Sequence, residues 1–341
     1  MGSCILAWDI GGTKIATAAY SPALEPLAFA RTVATTSVAQ PQALAALAQQ
    51  QAEELAESGW QVVAAGISVA GSVDAVEGRL IMSPNARWLD GVSLRDLFAA
   101  TLGAPVAVAN DADAFALAEA HAGAAAGMRH VVALTLGTGV GGGLVLNGTL
   151  HRGTGIGANE LGHLTINYRG PRCSCGSRGC LEAYCGGWAI PRQAARLLSR
   201  FDGDTCFAPL RDELAHLATH DEDDDAMPTL SETVRQQLDG AALCDAAATG
   251  DAFAQRFWHH YGEWMGAALA SLVNVVRPEA FVFGGAGARS LPHFEARMHE
   301  VVTARVMPPL FEALAYLPAA AAQAGTLGAA LVAKELTGKS P

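Results

Sequence analysis

An α/β protein of two domains is what this sequence predicts, and three observations carry that prediction. Short apolar runs alternate with helical segments along the chain. Two of those runs break at a Gly/Thr turn and return as strands. And 341 residues suffice for two cores with a cleft between lobes. Hydrophobic residues make up 51% of the chain, a figure inflated by alanine, which is ordinary for a soluble α/β composition.

Taken in order, residues 4–10 read as a buried strand, Gly11-Gly12-Thr13-Lys14 as a tight turn, and residues 15–20 as the returning strand. Residues 42–58 form an Ala- and Gln-rich helix that stops at Gly59. A third apolar run covers 62–69 and ends in the loop Ala70-Gly71-Ser72-Val73-Asp74. Pro84 and Asn85 punctuate a loop over 83–88. Residues 105–109 form a short strand with Asn110-Asp111 at its end, and Asp111 or Asp113 can cap the Ala-rich helix running to about 125.

The apolar run 131–136 leads into Gly137-Thr138-Gly139-Val140-Gly141-Gly142-Gly143, and the β-like residues that follow close on an Asn147-Gly148 turn. Helices are expected over 187–200 and 257–276, the latter apolar enough for either core burial or an interface. A buried strand is expected over 281–283, then Gly284-Gly285-Ala286-Gly287 before another helix, and a helical tail from 326 to about 336. Residues 202–230 contain His220-Asp221-Glu222-Asp223-Asp224-Asp225, read as an exposed acidic loop without the spacing of a calcium hand.

Composition excludes several functions. No segment approaches the roughly 18 uninterrupted apolar residues of a membrane span, and no basic region precedes Asp9, so neither membrane insertion nor a leader is expected. A net charge of −11 with scattered Lys and Arg opposes a nucleic-acid surface. It leaves room for an anionic nucleotide, because backbone N–H groups and Mg²⁺ hold phosphate locally. Seven cysteines, three of them within eight residues, suit a metal site in a reducing, cytoplasmic compartment better than a disulfide framework.

Gly137-x-Gly139-x-x-Gly142 formally matches the dinucleotide fingerprint, but that motif needs a helix directly after the glycines, and a strand follows here. No Walker A loop occurs. What remains is a strand, a Gly/Thr turn and a strand, present twice. Two such hairpins would present backbone N–H groups and threonine hydroxyls to a polyphosphate. Asp9 would orient Mg²⁺ directly or through water.

Cys173-x-Cys175-x4-Cys180 places three thiolates in one tight loop. Structural zinc takes four N/S ligands, so His163 or Cys185 completes the set; catalytic zinc would require an open position. A metal-bound His163 would have its other ring nitrogen fixed as a donor. Glu160 lies three residues before it, and Glu182 two after Cys180, so the metal would hold one donor and two carboxylates in place for a polyhydroxylated ligand.

Ile10-Gly11-Gly12-Thr13-Lys14, Asn110-Asp111-Ala112-Asp113-Ala114, the glycine turn from Leu136, Glu160-x-x-His163 and the Cys173 to Glu182 cluster occur in one order. This set closely resembles the ROK family (repressors, open reading frames and kinases), in particular its bacterial sugar kinases. The resemblance implies an actin-like ATPase (ribonuclease H-like) fold whose two α/β lobes flank an interlobe cleft. Residues 1–117 with a C-terminal helix over 325–341 would make the smaller lobe, and 118–324 the larger, zinc-bearing one.

It further implies ATP-dependent phosphorylation of a hexose at its 6-hydroxyl, glucose first, with N-acetylglucosamine or N-acetylmannosamine as alternatives and a non-catalytic sugar-sensing regulator as a remote one. Asp111 would be the general base. Asn85, Asn110, Glu160, His163 and Glu182 would hold sugar hydroxyls. Asp9, Gly11, Gly12, Thr13, Lys14, Thr138 and Gly139 would serve the phosphates and Mg²⁺, and Gly284 with Gly285 the adenosine. A homodimer is common among members. Three positions depart from the usual pattern: Asp113 where many members carry Asn, Asn159 in place of the glycine before the glutamate, and Ala70-Gly71 in place of Pro-Gly.

Overall fold

A computed structural model describes residues 1–154, 156–215, 217 and 229–337. The acidic run His220 to Asp225 and the last four residues of the expected C-terminal helix lie outside the described residues. In chain order the first elements are β1 (Gly2–Ile10), β2 (Lys14–Tyr20), β3 (Pro26–Ala34), α1 (Pro41–Glu57), β4 (Trp60–Val69), β5 (Ser72–Asp74) and β6 (Arg79–Met82). Then come α2 (Leu94–Leu102), β7 (Val106–Asn110), α3 (Asp111–Ala122), β8 (Val131–Leu136), β9 (Val140–Leu146) and β10 (Thr149–Leu150). The helical stretch holds α4 (Glu182–Cys185), α5 (Ile190–Leu198), α6 (Arg211–Leu214), α7 (Glu232–Gln237), α8 (Gly240–Ala248) and α9 (Ala252–Val276). It is followed by β11 (Ala280–Gly284), α10 (Leu291–Arg305), β12 (Ala315–Pro318) and α11 (Ala324–Thr337).

Two five-stranded sheets share one strand order, β3-β2-β1-β4-β7 and β10-β9-β8-β11-β12. In the first, β1 and β2 pair antiparallel, as do β2 and β3, while β4 joins β1 and β7 joins β4 in parallel. In the second, β9 and β10 pair antiparallel and β11 with β12 parallel. The chain forms two compact units: Met1–Ala133 with Gly143–Asn159 and Ala319–Pro341, and Leu134–Gly142 with Glu160–Pro318.

These bounds differ from the lobes expected at 117/118 and 324/325, and the difference has a packing cause. All of α3 and the segment Gly143–Asn159 lie in the first unit. A Cβ at Gly143 would come within 2.7 Å of the Ala112 carbonyl oxygen, and one at Gly328 would collide with the Ala114 carbonyl. Only glycines allow α3 to be approached so closely from both neighbours.

In the first unit, β1 is buried on both faces, as its nearly continuous apolar run predicts. Cys4, Leu6, Trp8 and Ile10 join one core cluster, and Ile5 and Ala7 the other. Trp8 meets the edge of Phe98 from α2 at 4.8 Å between ring centres, and its indole N–H donates to Gln51 of α1. The opposite face is covered by α11, whose backbone at Ala329 lies so close to β4 that any side chain at Gly66 would collide with it. In the second unit, α9 is the core helix. Phe253, Phe257, Trp258, Tyr261, Met265 and Leu269 are buried, so core packing accounts for its apolar character.

Several elements differ from the sequence expectation. β3 and β12 were not foreseen because each lies at a sheet edge; β3 buries one residue, Phe29, and β12 none, so neither shows an apolar alternation. Within the expected 202–230 loop, Arg211–Leu214 is helical, and α7 and α8 follow it behind the caps Ser231 and Asp239. Asp251 caps α9, so that helix begins five residues earlier than its apolar run. The cap of α3 is Asn110, neither Asp111 nor Asp113: its side-chain oxygen accepts from the N–H groups of Ala112 and Asp113. Among the described residues no helix is long and apolar enough to cross a membrane.

One buried carboxylate ties the returning chain to α3. Glu119 is fully buried, and it accepts hydrogen bonds from the N–H groups of Ala124, Ala320 and Ala321. Removing it leaves three backbone donors without their acceptor; Ala320 is exposed and Ala124 and Ala321 are half-buried, so water takes up part of the roughly 1–3 kcal/mol that each unpaired buried donor would cost. Glu119→Ala is therefore expected to lose about 1–3 kcal/mol of unfolding free energy in urea. A loss below about 1 kcal/mol would show that water replaces the carboxylate at no cost.

Candidate active site

The turn between β1 and β2 is held from the side of its carbonyl groups. Thr35 donates from its hydroxyl to Gly11 O at 2.8 Å and from its backbone to Thr13 O at 3.0 Å, while Gly11 N–H reaches Lys14 O at 3.0 Å. Among the described residues no acceptor is found for the N–H groups of Gly12 and Thr13. Neither Gly11 nor Gly12 has positive φ, so turn conformation does not explain them. Close approach does for Gly12, since a Cβ there would lie 2.8 Å from Asn85 Cβ.

Asp9, just before this turn, accepts from the Ser68 hydroxyl at 3.1 Å. Burial pushes its carboxyl above the usual range, against the Ser68 hydrogen bond and the nearby Lys14 charge. Asp9, Lys14, Gln323 and Gly325 are among the residues lining a cavity of about 260 Å³ in this unit. Gly325 is required there, because a side chain would collide with the Asp9 carboxylate. Asn85 rides on a loop fastened by Ser83, which is fully buried: its hydroxyl accepts from the Asn85 and Ala86 N–H groups, and Asp90 accepts from Ser83 N–H at 2.8 Å.

At the end of β7, Asn110 bonds at both ends of its carboxamide. Its oxygen caps α3, and its amide donates to Gly71 O at 2.8 Å, fixing the Ala70-Gly71 loop. Asp111 is the first helical residue and is exposed; one carboxylate oxygen accepts from Ala112 N–H at 3.0 Å. The helix N-terminus favours negative charge at this position. Asp111 is thus a solvent-facing carboxylate in a rigid first turn.

In the second unit the glycine turn between β8 and β9 is built in the same way. Its carbonyls at Gly137 and Thr138 accept from the N–H groups of Gly187 and Trp188, each at 3.0 Å, and Gly137 N–H bonds Gly139 O. The N–H groups of Thr138 and Gly139 again find no acceptor among the described residues. Glu182, the first residue of α4, lies against this turn. It accepts from Val140 N–H at 3.0 Å and from the Ser174 hydroxyl and Trp188 indole at 3.2 Å, and a side chain at Gly139 would collide with it. Three of roughly four acceptor positions are therefore engaged by protein. Gly285, at φ +80°, packs against the Leu136 backbone immediately after Gly284 ends β11.

His163 closes a single 3-10 turn, Leu161–His163, and its N–H bonds Glu160 O at 3.0 Å. Its Nδ1 lies 3.6 Å from Cys173 Sγ, and Cys175 Sγ lies 3.7 Å from Cys180 Sγ. All four ligand atoms lie within 4.8 Å of one another. A tetrahedral zinc with 2.3 Å Zn–S bonds has S···S edges of about 3.8 Å, so these residues fit such an ion. Gly176 and Gly179 take φ of +90° and +64° to turn the loop, and Cys173 N–H closes it onto Ser177 O. The rival ligand Cys185 is not part of the cluster; it is buried in the core beside Tyr261, whose hydroxyl bonds its carbonyl.

Burial raises Cys173, but hydrogen bonds from His163 and the Cys175 backbone prevail and bring it down to about 7. Burial and the neighbouring sulfurs push Cys180 up to about 12. Three thiolates cannot share this space without a positive charge among them. The Cys173 hydrogen bond raises His163, and partial burial raises Glu160, offset by His163 and reinforced by Glu182.

The first unit thus gathers Asp9, Gly11, Gly12, Thr13, Lys14, Asn85, Asn110 and Asp111, and the second Thr138, Gly139, Glu160, His163, Glu182, Gly284 and Gly285. Residues that sequence did not single out prove to be the supports: Ser68 under Asp9, Ser83 and Asp90 under Asn85, and Ser174 with Trp188 around Glu182. Ser68 and Asp9 lie 59 positions apart, and no local spacing signals such a pair.

Known proteins resemble this chain in sequence and in fold. The chain is 34% identical over 275 residues to a glucokinase of Thermotoga maritima, covering 80% of each. A solved ROK family glucokinase from Streptomyces griseus, in complex with glucose and AMPPNP, superposes with a TM-score of 0.69 at 29% identity, covering 97% of this chain and 99% of that one. A xylose repressor of Bacillus spizizenii is 25% identical over 262 residues, covering 77% of this chain and 58% of the repressor. The fold is the actin-like ATPase fold of ROK kinases. With the ROK family model matching residues 5–336, nearly its whole length, this chain belongs to the ROK family.

Proposed function

We propose that this protein is an ATP-dependent glucose kinase that phosphorylates the 6-hydroxyl. The observation that carries the reading is the pair of turns at Gly12-Thr13 and Thr138-Gly139. Each has its carbonyls tied back and, among the described residues, two successive N–H groups without an acceptor, which is the donor pattern a polyphosphate requires. The similarity to glucokinases supports glucose over the N-acetylhexosamines. The similarity to a xylose repressor favours one second reading, a sugar-responsive regulator without turnover.

On this reading Asp111 accepts the proton of the attacking hydroxyl and aims its oxygen at the γ-phosphoryl group. Phosphoryl transfer depends mainly on positioning and charge neutralisation, so a base held at a rigid helix start is well suited. Asn85, Glu160 and His163 hold sugar hydroxyls. Asn110 and Glu182, already bonded within the protein, act first as supports, the former for the Asp111 helix and the latter for the second glycine turn. Asp9 and Lys14 face the phosphates, and Gly284 with Gly285 serve the adenosine. Mg²⁺, held by Asp9 directly or through water, would neutralise phosphate charge when bound. Zinc, held by His163, Cys173, Cys175 and Cys180, has a structural role. The seven free cysteines fit a reducing cytoplasm, and a homodimer is part of the same reading.

A coupled assay with ATP should give the highest kcat/KM on glucose among glucose, N-acetylglucosamine, N-acetylmannosamine, mannose and fructose. In the same assay Asp111→Asn should lose at least about a hundredfold in kcat. Its glucose KM should stay within about threefold, as for loss of an interaction made in the transition state. Turnover within about threefold of wild type would remove Asp111 as the base, and no turnover of any sugar by the wild type would favour the regulator. Separately, elemental analysis of the purified chain should find about one zinc per chain, falling to near none in Cys175→Ser. Full zinc content in that variant would mean that the metal sits elsewhere.

A further inference from the structure

Asn159 is the last residue of the first unit, directly before Glu160. Its backbone is left-handed, with φ +63°, a conformation that asparagine tolerates better than other residues bearing a Cβ. Its side-chain amide donates to Asp113 Oδ1 at 2.7 Å and to His151 O at 2.6 Å. Both neighbours are acceptors, so the Nδ2 end must face them and the orientation of the amide is settled. Asp113 is the third residue of α3, two after Asp111, and its own N–H is tied to the Asn110 cap. Immediately past Asn159, Glu160 accepts from His163 N–H and starts the turn that carries the imidazole.

We propose that Asp113 and Asn159 act as a pair of positioning residues, locking the left-handed bend before Glu160 onto the same helical turn that carries Asp111. The pair fixes the backbone of the residue that directly precedes Glu160. Position 159 then has two requirements, a left-handed backbone and a donor to Asp113. Glycine meets only the first. Aspartate tolerates the bend but would place a carboxylate against two acceptors, and so fails the second. This inference rests on the reading of Glu160 as a sugar ligand, and its test has an arm that does not.

Asn159→Gly keeps the bend and removes the donor; Asp113→Ala removes the acceptor. In coupled-assay kinetics each should raise the glucose KM about tenfold and leave the ATP KM within about twofold, and the double variant should be no worse than either single one, as for two members of one interaction. Hydrogen exchange at the His163 and Leu164 amides, which close the turn, should quicken about tenfold in all three. An unchanged glucose KM, unchanged exchange, or single effects that multiply in the double variant would overturn the pairing. A wild type that does not phosphorylate glucose would defeat the kinase reading instead, and the exchange arm would still decide whether Asp113 and Asn159 hold the turn.

Discussion

The tightest constraint in this molecule is electrostatic: three cysteine sulfurs and an imidazole nitrogen lie within 4.8 Å of one another in a loop turned by two left-handed glycines. Hydrogen bonds from His163 and Cys175 draw the Cys173 thiol down while burial and the neighbouring sulfurs push Cys180 up, so the closely spaced sulfurs act against one another. Zinc, as proposed, removes that conflict, and structural zinc sites contribute folding free energy outright. The consequences run through the second unit. Ser174, between two of the cysteines, and Trp188 hold the Glu182 carboxylate, which in turn holds Val140 and the glycine turn. On the other side of the cluster His163 closes the turn begun by Glu160. A metal there would set both carboxylates and the phosphate-facing turn from a single point.

The first unit fixes its own glycine turn through hydrogen bonds. Its glycine turn follows β1, as the other follows β8, and both strands are the middle members of sheets with the same order. In each turn the carbonyls are drawn back by a separate segment, Thr35 in one case and Gly187-Trp188 in the other, which leaves consecutive N–H groups facing outward. Here the rigid points are Asn110, bonded at both ends of its side chain, and Glu119, which binds three backbone N–H groups farther along the same helix. α3 therefore carries Asp111 on a base secured at both ends.

Much of this was legible in the sequence, for reasons that can be named. Strands β1, β2, β4, β8 and β11 announce themselves because their apolar runs are buried. The Asn147-Gly148 turn does so because its left-handed residues are confined to a few types. The cluster of Cys173, Cys175 and Cys180 was legible because three cysteines on one loop stand at the spacing of a metal site, and the preference for His163 over Cys185 agrees with the cluster, from which Cys185 is turned away into the core. The edge strands β3 and β12 bury too little to leave a pattern. The supports of the site are pairs distant in sequence, such as Ser68 with Asp9 and Trp188 with Glu182. The two departures from the family pattern at 113 and 159 read as unrelated in sequence, yet Asp113 and Asn159 hydrogen-bond to each other. The positive φ at Asn159 is a conformation that glycine also takes readily.

The dependence of sugar recognition on the metal is the central claim, and one titration addresses it directly. Glucose binding should be measured calorimetrically on the zinc-loaded chain and on the same chain stripped with a chelator, with folding of the stripped protein confirmed by circular dichroism. Loss of about tenfold or more in glucose affinity, restored by adding zinc back, is the predicted result. Equal affinity in the loaded and stripped forms would contradict it and leave Glu160 and His163 positioned by the polypeptide alone.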